Sequence, residues 1–199
     1  MKKKLINFYI SVKHRFRIVK LTFKKPIYNS KVFCIGFNKT GTTSLGKSLE
    51  MLGYKNSSFN RVVWRKYYAN NDINKILDYT AKFDSVDDLP WLKEDMIPIL
   101  DKAFPNSKFI YLTREEEPWK KSMYNWRYKT FNEYPDLEKS LKEYKHHKKF
   151  VLNYFKNRPE EDFISLNIRD EKGFQKLAKF LDKETKIEKF PHFNRTFNK

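Results

Sequence analysis

A short apolar run that leads into a glycine-containing loop, at residues 32–45, constrains the fold of this chain more than any other feature. Residues 32–35 form the apolar run, which predicts a strand covered on both faces. From Thr42 onward, leucines recur at spacings of four and three residues, which predicts a helix. Gly36 and Gly41 let the connecting backbone turn sharply. Such a loop points backbone N–H groups and the positive end of a helix at one place, so we expect it to bind an anion, most often a phosphate.

The loop nearly matches the phosphate-binding pattern GxxxxGK[ST], but its lysine is displaced. Gly36, Gly41 and Thr43 occupy three of the pattern's positions. Thr42 stands at the lysine position, and a lysine lies three residues earlier, at Lys39. In enzymes that use nucleoside triphosphates, that lysine neutralises phosphates and the Ser/Thr holds magnesium. A P-loop kinase-like phosphotransferase is therefore one interpretation, although it should keep the lysine and carry a clear magnesium-binding acid on a later strand.

Strands that alternate with helical segments predict a single α/β domain over residues 31–199. The expected architecture has three layers, with a mostly parallel central sheet and helices on both faces. The strands are predicted at 32–35, 108–114 and 163–168, with a strand or loop at 54–59 and a strand end near residue 83. Ligands bind beyond the carboxyl ends of such strands. We therefore expect the loop at 36–43, the acids at 84–88 and Arg114 at one edge of the sheet.

Two stretches of the sequence resemble the donor site of sulfotransferases that use 3′-phosphoadenosine 5′-phosphosulfate (PAPS). Residues 39–45, after their apolar strand, resemble the loop that binds the 5′-phosphosulfate in that family. Residues 114–122 resemble the segment that binds the 3′-phosphate, in which Arg114 ends a strand and Ser122 follows eight residues later. A guanidinium group forms charge-assisted, often bidentate bonds with phosphate, and a hydroxyl completes such a site. The resemblance implies the P-loop NTPase-like fold of these enzymes.

Two weaker similarities to the same family follow. Asp84, Asp88 and Pro90 match an acidic D-x-x-x-D-x-P segment. Residues 190–194 match a terminal F-P-H-x-N segment that includes His192. The similarity extends from about residue 31 to 195, although much of the middle of the chain is unmatched.

The resemblance implies a donor site and an acid–base pair, with PAPS as the donor, 3′-phosphoadenosine 5′-phosphate (PAP) as the product and no metal. The cofactor-binding residues are then expected to be Lys39, Thr40, Gly41, Thr42, Thr43, Ser44, Arg114 and Ser122. Lys39 would also donate to the bridging oxygen as that oxygen becomes anionic. Asp88 or Asp84 would accept the proton of the acceptor hydroxyl, and His192 is a further candidate. A helix cap for Asp88 and a structural salt bridge for Asp84 are the alternatives.

The net charge of +18 is concentrated near the N-terminus. Twelve of the 42 Lys and Arg residues lie in residues 1–49, and no Asp or Glu occurs before Glu50. This excess favours an anionic partner. Residues 1–30 alternate apolar and basic side chains, which predicts an arm that contacts a membrane surface peripherally, packs on the domain or forms a frayed tail.

The acceptor hydroxyl is less constrained, and a carbohydrate or glycolipid is the interpretation we favour. Aromatic and basic residues interleave over 119–157, where they would attract an acidic glycan or simply form core and solvated helix faces. A small metabolite or a peptide tyrosine are further alternatives. A non-enzymatic basic module that binds nucleic acid or membrane would explain the charge but not the loop, and we expect no nucleic-acid partner.

The cellular location is predicted from the cysteine content and from what the N-terminus lacks. Cys34 is the only cysteine and lies in the apolar strand, so no disulfide framework can form. The N-terminus carries no continuous apolar segment of the secretory type. We therefore expect a cytoplasmic protein, which could also lie peripherally at a membrane surface.

Overall fold

The computed structural model of the chain describes residues 30–191. The predicted basic arm, apart from Ser30, lies outside these residues, and so does the candidate base His192. Among the helices described, none combines the length and the apolar character needed to cross a membrane.

The described residues contain one five-stranded sheet in which every strand pair is parallel. The strands are β1 (Val32–Cys34), β2 (Asn56–Ser57), β3 (Ser85–Asp87), β4 (Lys108–Thr113) and β5 (Phe163–Asn167). Their order across the sheet is β2-β3-β1-β4-β5, which places β1 in the centre. The predicted parallel sheet is confirmed, and the stretch at 54–59 does contain a strand.

Helices follow the strands as the sequence predicted. They are α1 (Thr42–Met51), α2 (Ile73–Thr80), α3 (Met96–Ala103), α4 (Glu116–Phe131), α5 (Leu137–Tyr154) and α6 (Gly173–Phe180). A π-helical turn (Val63–Tyr67) and a 3₁₀ turn (Tyr68–Asn70) precede α2. The side chains of Asp72 and Asp136 cap α2 and α5 by accepting from backbone N–H groups three residues later.

Side chains alternate between the two faces of the sheet, and helices cover both faces. Phe33 and Phe109 stack on one face with their ring centroids 5.1 Å apart, above residues of α2, α3 and α5. Cys34 and Ile110 point to the other face, where they pack with residues of α1 and α6. The three-layer prediction is therefore confirmed. Cys34 is fully buried, and burial raises the pKa of its thiol, as expected of a core residue.

A buried polar network fixes α1 against β2 and β3. The carboxylate of Asp87 accepts from Asn56 Nδ2 at 2.7 Å and from Ser58 Oγ at 2.6 Å. Ser85 Oγ donates to Asn56 Oδ1 at 2.7 Å. Gly46 of α1 lies against this network, so that an added Cβ would stand 2.5 Å from Asp87 Oδ2. The glycine therefore allows α1, and with it the loop before α1, to lie close to the sheet.

Replacing Gly46 with alanine is expected to lower the free energy of unfolding by about 1–3 kcal/mol, because overpacking would displace a hydrogen-bonded pair. In an unobstructed helix the same change stabilises by about 0.5–1 kcal/mol, so the sign of the effect is informative. Urea denaturation measures it. Met51→Ala, at an exposed position of the same helix, is the control and should change stability by less than about 0.5 kcal/mol. Unchanged or increased stability of Gly46→Ala would contradict the contact.

Candidate functional site

The loop between β1 and α1 is a tight turn that packs against the neighbouring strands. Thr40 donates to the carbonyl of Phe37 through its backbone N–H at 3.3 Å and through its hydroxyl at 2.6 Å. Lys39 and Gly41 both have left-handed backbone conformations, with φ of 70° and 114°. A Cβ at Gly36 would stand 2.7 Å from the Cβ of Leu112, so this position requires glycine for close approach. The sequence prediction of a sharp turn at these glycines is confirmed.

The first turn of α1 opens at this loop. Gly41 occupies the position before the helix, and no side chain of the described residues caps the helix there. Thr42 and Ser44 are buried, whereas Thr43 is exposed at the surface of the loop. The first backbone N–H groups of a helix lack carbonyl partners within the helix and carry partial positive charge. The arrangement is therefore suited to an anion, and anion binding at this loop stays a prediction.

Two side chains that follow the neighbouring strand β4 in sequence hold the loop by its carbonyl groups. Arg114, which directly follows β4, donates from Nη1 to the carbonyl of Lys39 at 2.8 Å. Trp119 of α4 is fully buried and donates from Nε1 to the carbonyl of Asn38 at 2.8 Å. Both carbonyls are thereby turned towards α4, which fixes the direction of the peptide groups that connect Asn38, Lys39 and Thr40.

Helix α5 holds the backbone of Arg114 in place. The hydroxyl of Tyr144 accepts from the backbone N–H of Arg114 at 3.1 Å and donates to the carbonyl of Arg114 at 2.7 Å. The Tyr144 ring stacks on Trp119 with centroids 4.8 Å apart and planes 6° from parallel. Phe37 packs against both rings. One aromatic cluster therefore positions both the loop and Arg114.

A buried histidine contacts the end of β1. His147 Nε2 lies 2.8 Å from the carbonyl of Ile35, which must accept, so Nε2 carries the proton. Burial lowers the pKa of His147, and the nearby Glu94 only partly opposes this. The neutral ring therefore serves as a donor that fixes the start of the loop.

Lys39 and Asp88 face each other at the carboxyl edge of the sheet. Burial, with a contribution from Arg114, lowers the pKa of Lys39, and Asp88 opposes that shift. Burial raises the pKa of Asp88, against the effects of a backbone N–H bond from Leu89 at 2.7 Å and of Lys39. Asp88 directly follows β3, so it lies at the edge where the sequence placed it, although the strand spans Ser85–Asp87 and does not end near residue 83 as predicted. A carboxyl group and an ammonium group thus lie at the same edge of the sheet and attract each other without forming an ion pair, each with a pKa shifted towards neutrality.

Two arginines meet at the same edge without a carboxylate partner. Arg114 Nε is buried and has no hydrogen-bond partner among residues 30–191. Thr113 of β4 pairs with Asn167 of β5, so Arg114 and Arg169 extend from neighbouring strand ends. Burial lowers the pKa of Arg114, and the positive charge of Arg169 lowers it further. Within residues 30–191 neither arginine forms an ion pair, so the two charges favour an anion between them.

Arg169 was missed by the sequence analysis, and so were Tyr144 and His147. The available signal for Arg169 was a basic residue just after the last predicted strand. Tyr144 and His147 lie in a helix whose aromatic and basic pattern did not indicate which residues reach the loop.

The role of Ser122 in binding the 3′-phosphate stays a prediction, because the contacts of the described residues do not test it. It lies on the face of α4 that carries Trp119 and Trp126, because residues three and seven positions apart share one side of a helix. Trp119 bonds to the loop from that face, so Ser122 points in the general direction of the site. Ser122 is partly buried.

The expectation that Asp84 shares this edge with Asp88 is wrong. Asp84 precedes β3, whereas Asp88 follows it, so a full strand separates them and Asp84 lies at the amino-terminal edge. Asp84 is fully buried, and its Oδ2 accepts from the backbone N–H of Lys55 at 2.7 Å. This buried bond holds the start of β3 to the segment before β2, so Asp84 has a structural position away from the loop.

Comparison with known proteins identifies one family. A family model described as a sulfotransferase domain matches residues 31–138, which is more than half of the chain. No curated protein matches the sequence. Among solved structures, a gluconokinase from Sinorhizobium meliloti 1021 is similar at 15% sequence identity and a TM-score of 0.46, over 80% of this chain and 98% of that protein.

Replacing Tyr144 with phenylalanine is expected to destabilise the protein by about 1–2 kcal/mol, because both the N–H and the carbonyl of Arg114 lose their partner. Denaturant unfolding monitored by circular dichroism measures the change. Tyr128→Phe removes an exposed hydroxyl and should have an effect of less than about 0.5 kcal/mol. Equal effects of the two substitutions would contradict a positioning role for the Tyr144 hydroxyl.

Proposed function

Because this chain belongs to the sulfotransferase family, we propose that it transfers a sulfuryl group from PAPS to an acceptor hydroxyl. The observation that carries the proposal is the buried Nε of Arg114, which has no partner in the part of the chain that the structure describes. It lies at the edge where the loop opens, with Arg169 near enough to lower the pKa of Arg114. PAPS carries anionic groups at two positions: the 5′-phosphosulfate would meet the loop, and the separate 3′-phosphate would meet the arginines. The residues present therefore fit the donor.

The loop is proposed to bind the 5′ end of the donor. Backbone N–H groups of residues 40–44, together with the hydroxyls of Thr42 and Thr43, would hold the 5′-phosphate at the positive end of α1. Ser44 is buried in the first helical turn and would contribute its backbone N–H. Thr40, whose hydroxyl bonds to the carbonyl of Phe37, would maintain the turn rather than offer its own oxygen.

The arginines are proposed to bind the 3′-phosphate. Arg114 uses Nη1 to hold the loop, which leaves Nε for an anion. Arg169 would add a second guanidinium and Ser122 a hydroxyl. In this proposal Arg114 would have a structural role and a binding role. The bond from Nη1 to the carbonyl of Lys39 would align the loop, and Nε would contact the 3′-phosphate.

Lys39 and Asp88 are proposed to assist the transfer itself. Asp88 would accept the proton of the acceptor hydroxyl while the oxygen of that hydroxyl forms a bond to sulfur. The bond between sulfur and the bridging phosphate oxygen breaks at the same time, and its electron pair stays on that oxygen. Lys39 would stabilise the developing charge by donating a hydrogen bond to that oxygen. Sulfate ester and PAP are then the products, and the proton is left on Asp88.

A carbohydrate or glycolipid is the acceptor class we propose. Among the aromatic residues of 119–157, Trp119 and Tyr144 belong to the core, whereas three tyrosines are exposed. The exposed ones are Tyr124, Tyr128 and Tyr134, with ring centroids 5.5–6.3 Å apart. Such a surface supports stacking on sugar rings. A peripheral membrane contact of the basic arm and a cytoplasmic location belong to the same proposal.

The kinase alternative is less well supported by the site. A magnesium-binding acid would be expected at the carboxyl end of a strand next to β1. Asp87 occupies that place on β3, but both of its oxygens accept hydrogen bonds from the amide of Asn56 and the hydroxyl of Ser58. Thr42 replaces the lysine of the triphosphate pattern. A non-enzymatic basic module explains neither the loop nor the arginine pair.

Calorimetric titration tests the donor. We expect PAP to bind more tightly than ADP, and Arg114→Met to weaken PAP binding by about 10-fold to 100-fold, because a charge-assisted bond to the 3′-phosphate is lost. ADP affinity should fall by a smaller factor, because ADP lacks the 3′-phosphate and loses only the support that Arg114 gives the loop through the carbonyl of Lys39. Arg61→Met, at an exposed position, is the matched control. A wild-type preference for ATP with magnesium over PAP would contradict the proposal.

The pH dependence of turnover tests the roles of Asp88 and Lys39. Asp88 must be deprotonated, and its pKa is raised, so activity should fall at a higher pH than for an ordinary aspartate as the solution is acidified. Lys39 must be protonated, and its pKa is lowered, so activity should fall at a lower pH than for an exposed lysine as the solution is made alkaline. Steady-state measurement of kcat/KM as a function of pH shows both decreases, which are the acidic and the alkaline limb of the profile.

Two variants test which residue causes each limb of the pH profile. Asp88→Asn should reduce turnover and remove the acidic limb, whereas Lys39→Ala should abolish most turnover. An acidic limb that persists in Asp88→Asn would assign the proton acceptor to another residue, and wild-type turnover in Lys39→Ala would exclude Lys39 from the transfer step.

A further inference from the structure

The ammonium group of Lys39 lies over the indole of Trp126. Lys39 Nζ is 5.1 Å from the ring centroid, a distance at which a cation is attracted by the face of an aromatic ring. Trp126 is two helical turns after Trp119 on the same face of α4, so the helix contacts consecutive loop residues at two points. Trp119 holds the carbonyl of Asn38, and Trp126 holds the side chain of Lys39.

The indole is itself held in place. Its ring meets the ring of Phe131 edge to face, with centroids 5.5 Å apart and planes 86° apart. Phe131 is the last residue of α4, and Trp126 also packs at the border of the cluster that contains Trp119. Trp126 is only partly buried, so its ring packs against Phe131 and is still accessible to the ammonium group of Lys39.

Lys39 lacks a close carboxylate partner within residues 30–191. Asp88 attracts it from the end of β3, and Arg114 repels it from the end of β4, but neither forms an ion pair with it. A carboxylate in direct contact would neutralise the ammonium group and repel an incoming phosphate. An aromatic ring attracts the ammonium group without net negative charge, so it holds Lys39 and leaves the site positive.

We propose that Trp126 is a positioning residue, whose indole face holds the ammonium group of Lys39 in place at the carboxyl edge of the sheet before the donor binds. The inference rests on the proposed function for its catalytic consequence, because Lys39 is there the group that meets the bridging oxygen. The contact itself does not depend on that function. It stabilises the charged form of Lys39 against the burial that lowers its pKa.

Nuclear magnetic resonance of the protein without donor tests the contact. The Cε protons of Lys39, assigned by their absence in Lys39→Arg, should show a ring-current displacement that is lost in Trp126→Leu and largely kept in Trp126→Phe. The apparent pKa of Lys39 should fall by about half a pH unit in Trp126→Leu. Trp64→Leu, which replaces a partly exposed tryptophan stacked on Tyr68, is the matched control and should leave Lys39 unchanged.

Kinetic measurements test the consequence for turnover. Trp126→Leu should lower kcat by about threefold to tenfold, and Trp126→Phe should retain most of the activity. In a Lys39→Ala background the same substitution should have less than about a twofold effect, because the residue it positions is gone. Thermal melting of each variant shows whether the fold is kept, and Trp126→Phe provides the test if Trp126→Leu does not fold.

The two sets of outcomes separate this inference from the proposed function. Unchanged Lys39 resonances and pKa in Trp126→Leu would overturn the positioning role, and so would equal losses of kcat in the wild-type and Lys39→Ala backgrounds. Failure of the wild-type protein to bind PAP or transfer sulfate would instead reject the proposed function, and the resonance measurement would still decide the contact between Lys39 and Trp126.

Discussion

The two hydrogen bonds that hold the loop by its carbonyl groups are the interactions on which the site depends. Trp119 binds the carbonyl of Asn38 and Arg114 binds that of Lys39, each at 2.8 Å. They turn the loop carbonyls towards α4, while the first N–H groups of α1 open at the other end of the same turn. Because Tyr144 holds the backbone of Arg114, the loop, β4 and α5 form one unit.

This unit also sets the electrostatics of the site. Lys39, Arg114 and Arg169 extend from the carboxyl ends of β1, β4 and β5, so the parallel sheet brings three positive charges to one edge. Burial makes the charges of Lys39 and Arg114 costly without an anion, and their lowered pKa values express that cost. Family membership indicates sulfuryl transfer as the chemistry, and the charge arrangement is consistent with a donor that carries phosphate at two positions.

The sequence allowed prediction of the features that depend on neighbouring residues. The apolar strand, the glycine turn, and Arg114 and Asp88 at strand ends follow from local pattern and from the geometry of parallel sheets. Asp84 was misplaced because the sequence did not show that β3 begins at Ser85, between the two acids. Arg169, Tyr144, His147 and Trp126 reach the site from helices and strands far along the chain. Their contacts depend on how those elements pack, which residue spacing alone does not determine.

Transfer of radiolabelled sulfate from PAPS to a panel of acceptors tests the central claim most directly. The panel would contain neutral and acidic glycans, a glycolipid, small hydroxyl metabolites and a tyrosine peptide, with Lys39→Ala as the strongly impaired comparison. The account predicts label in at least one hydroxyl acceptor, one PAP formed for each sulfate transferred, and a large reduction of both in Lys39→Ala. Transfer of the γ-phosphate of ATP in the presence of magnesium, with no sulfate transfer to any acceptor, would contradict it.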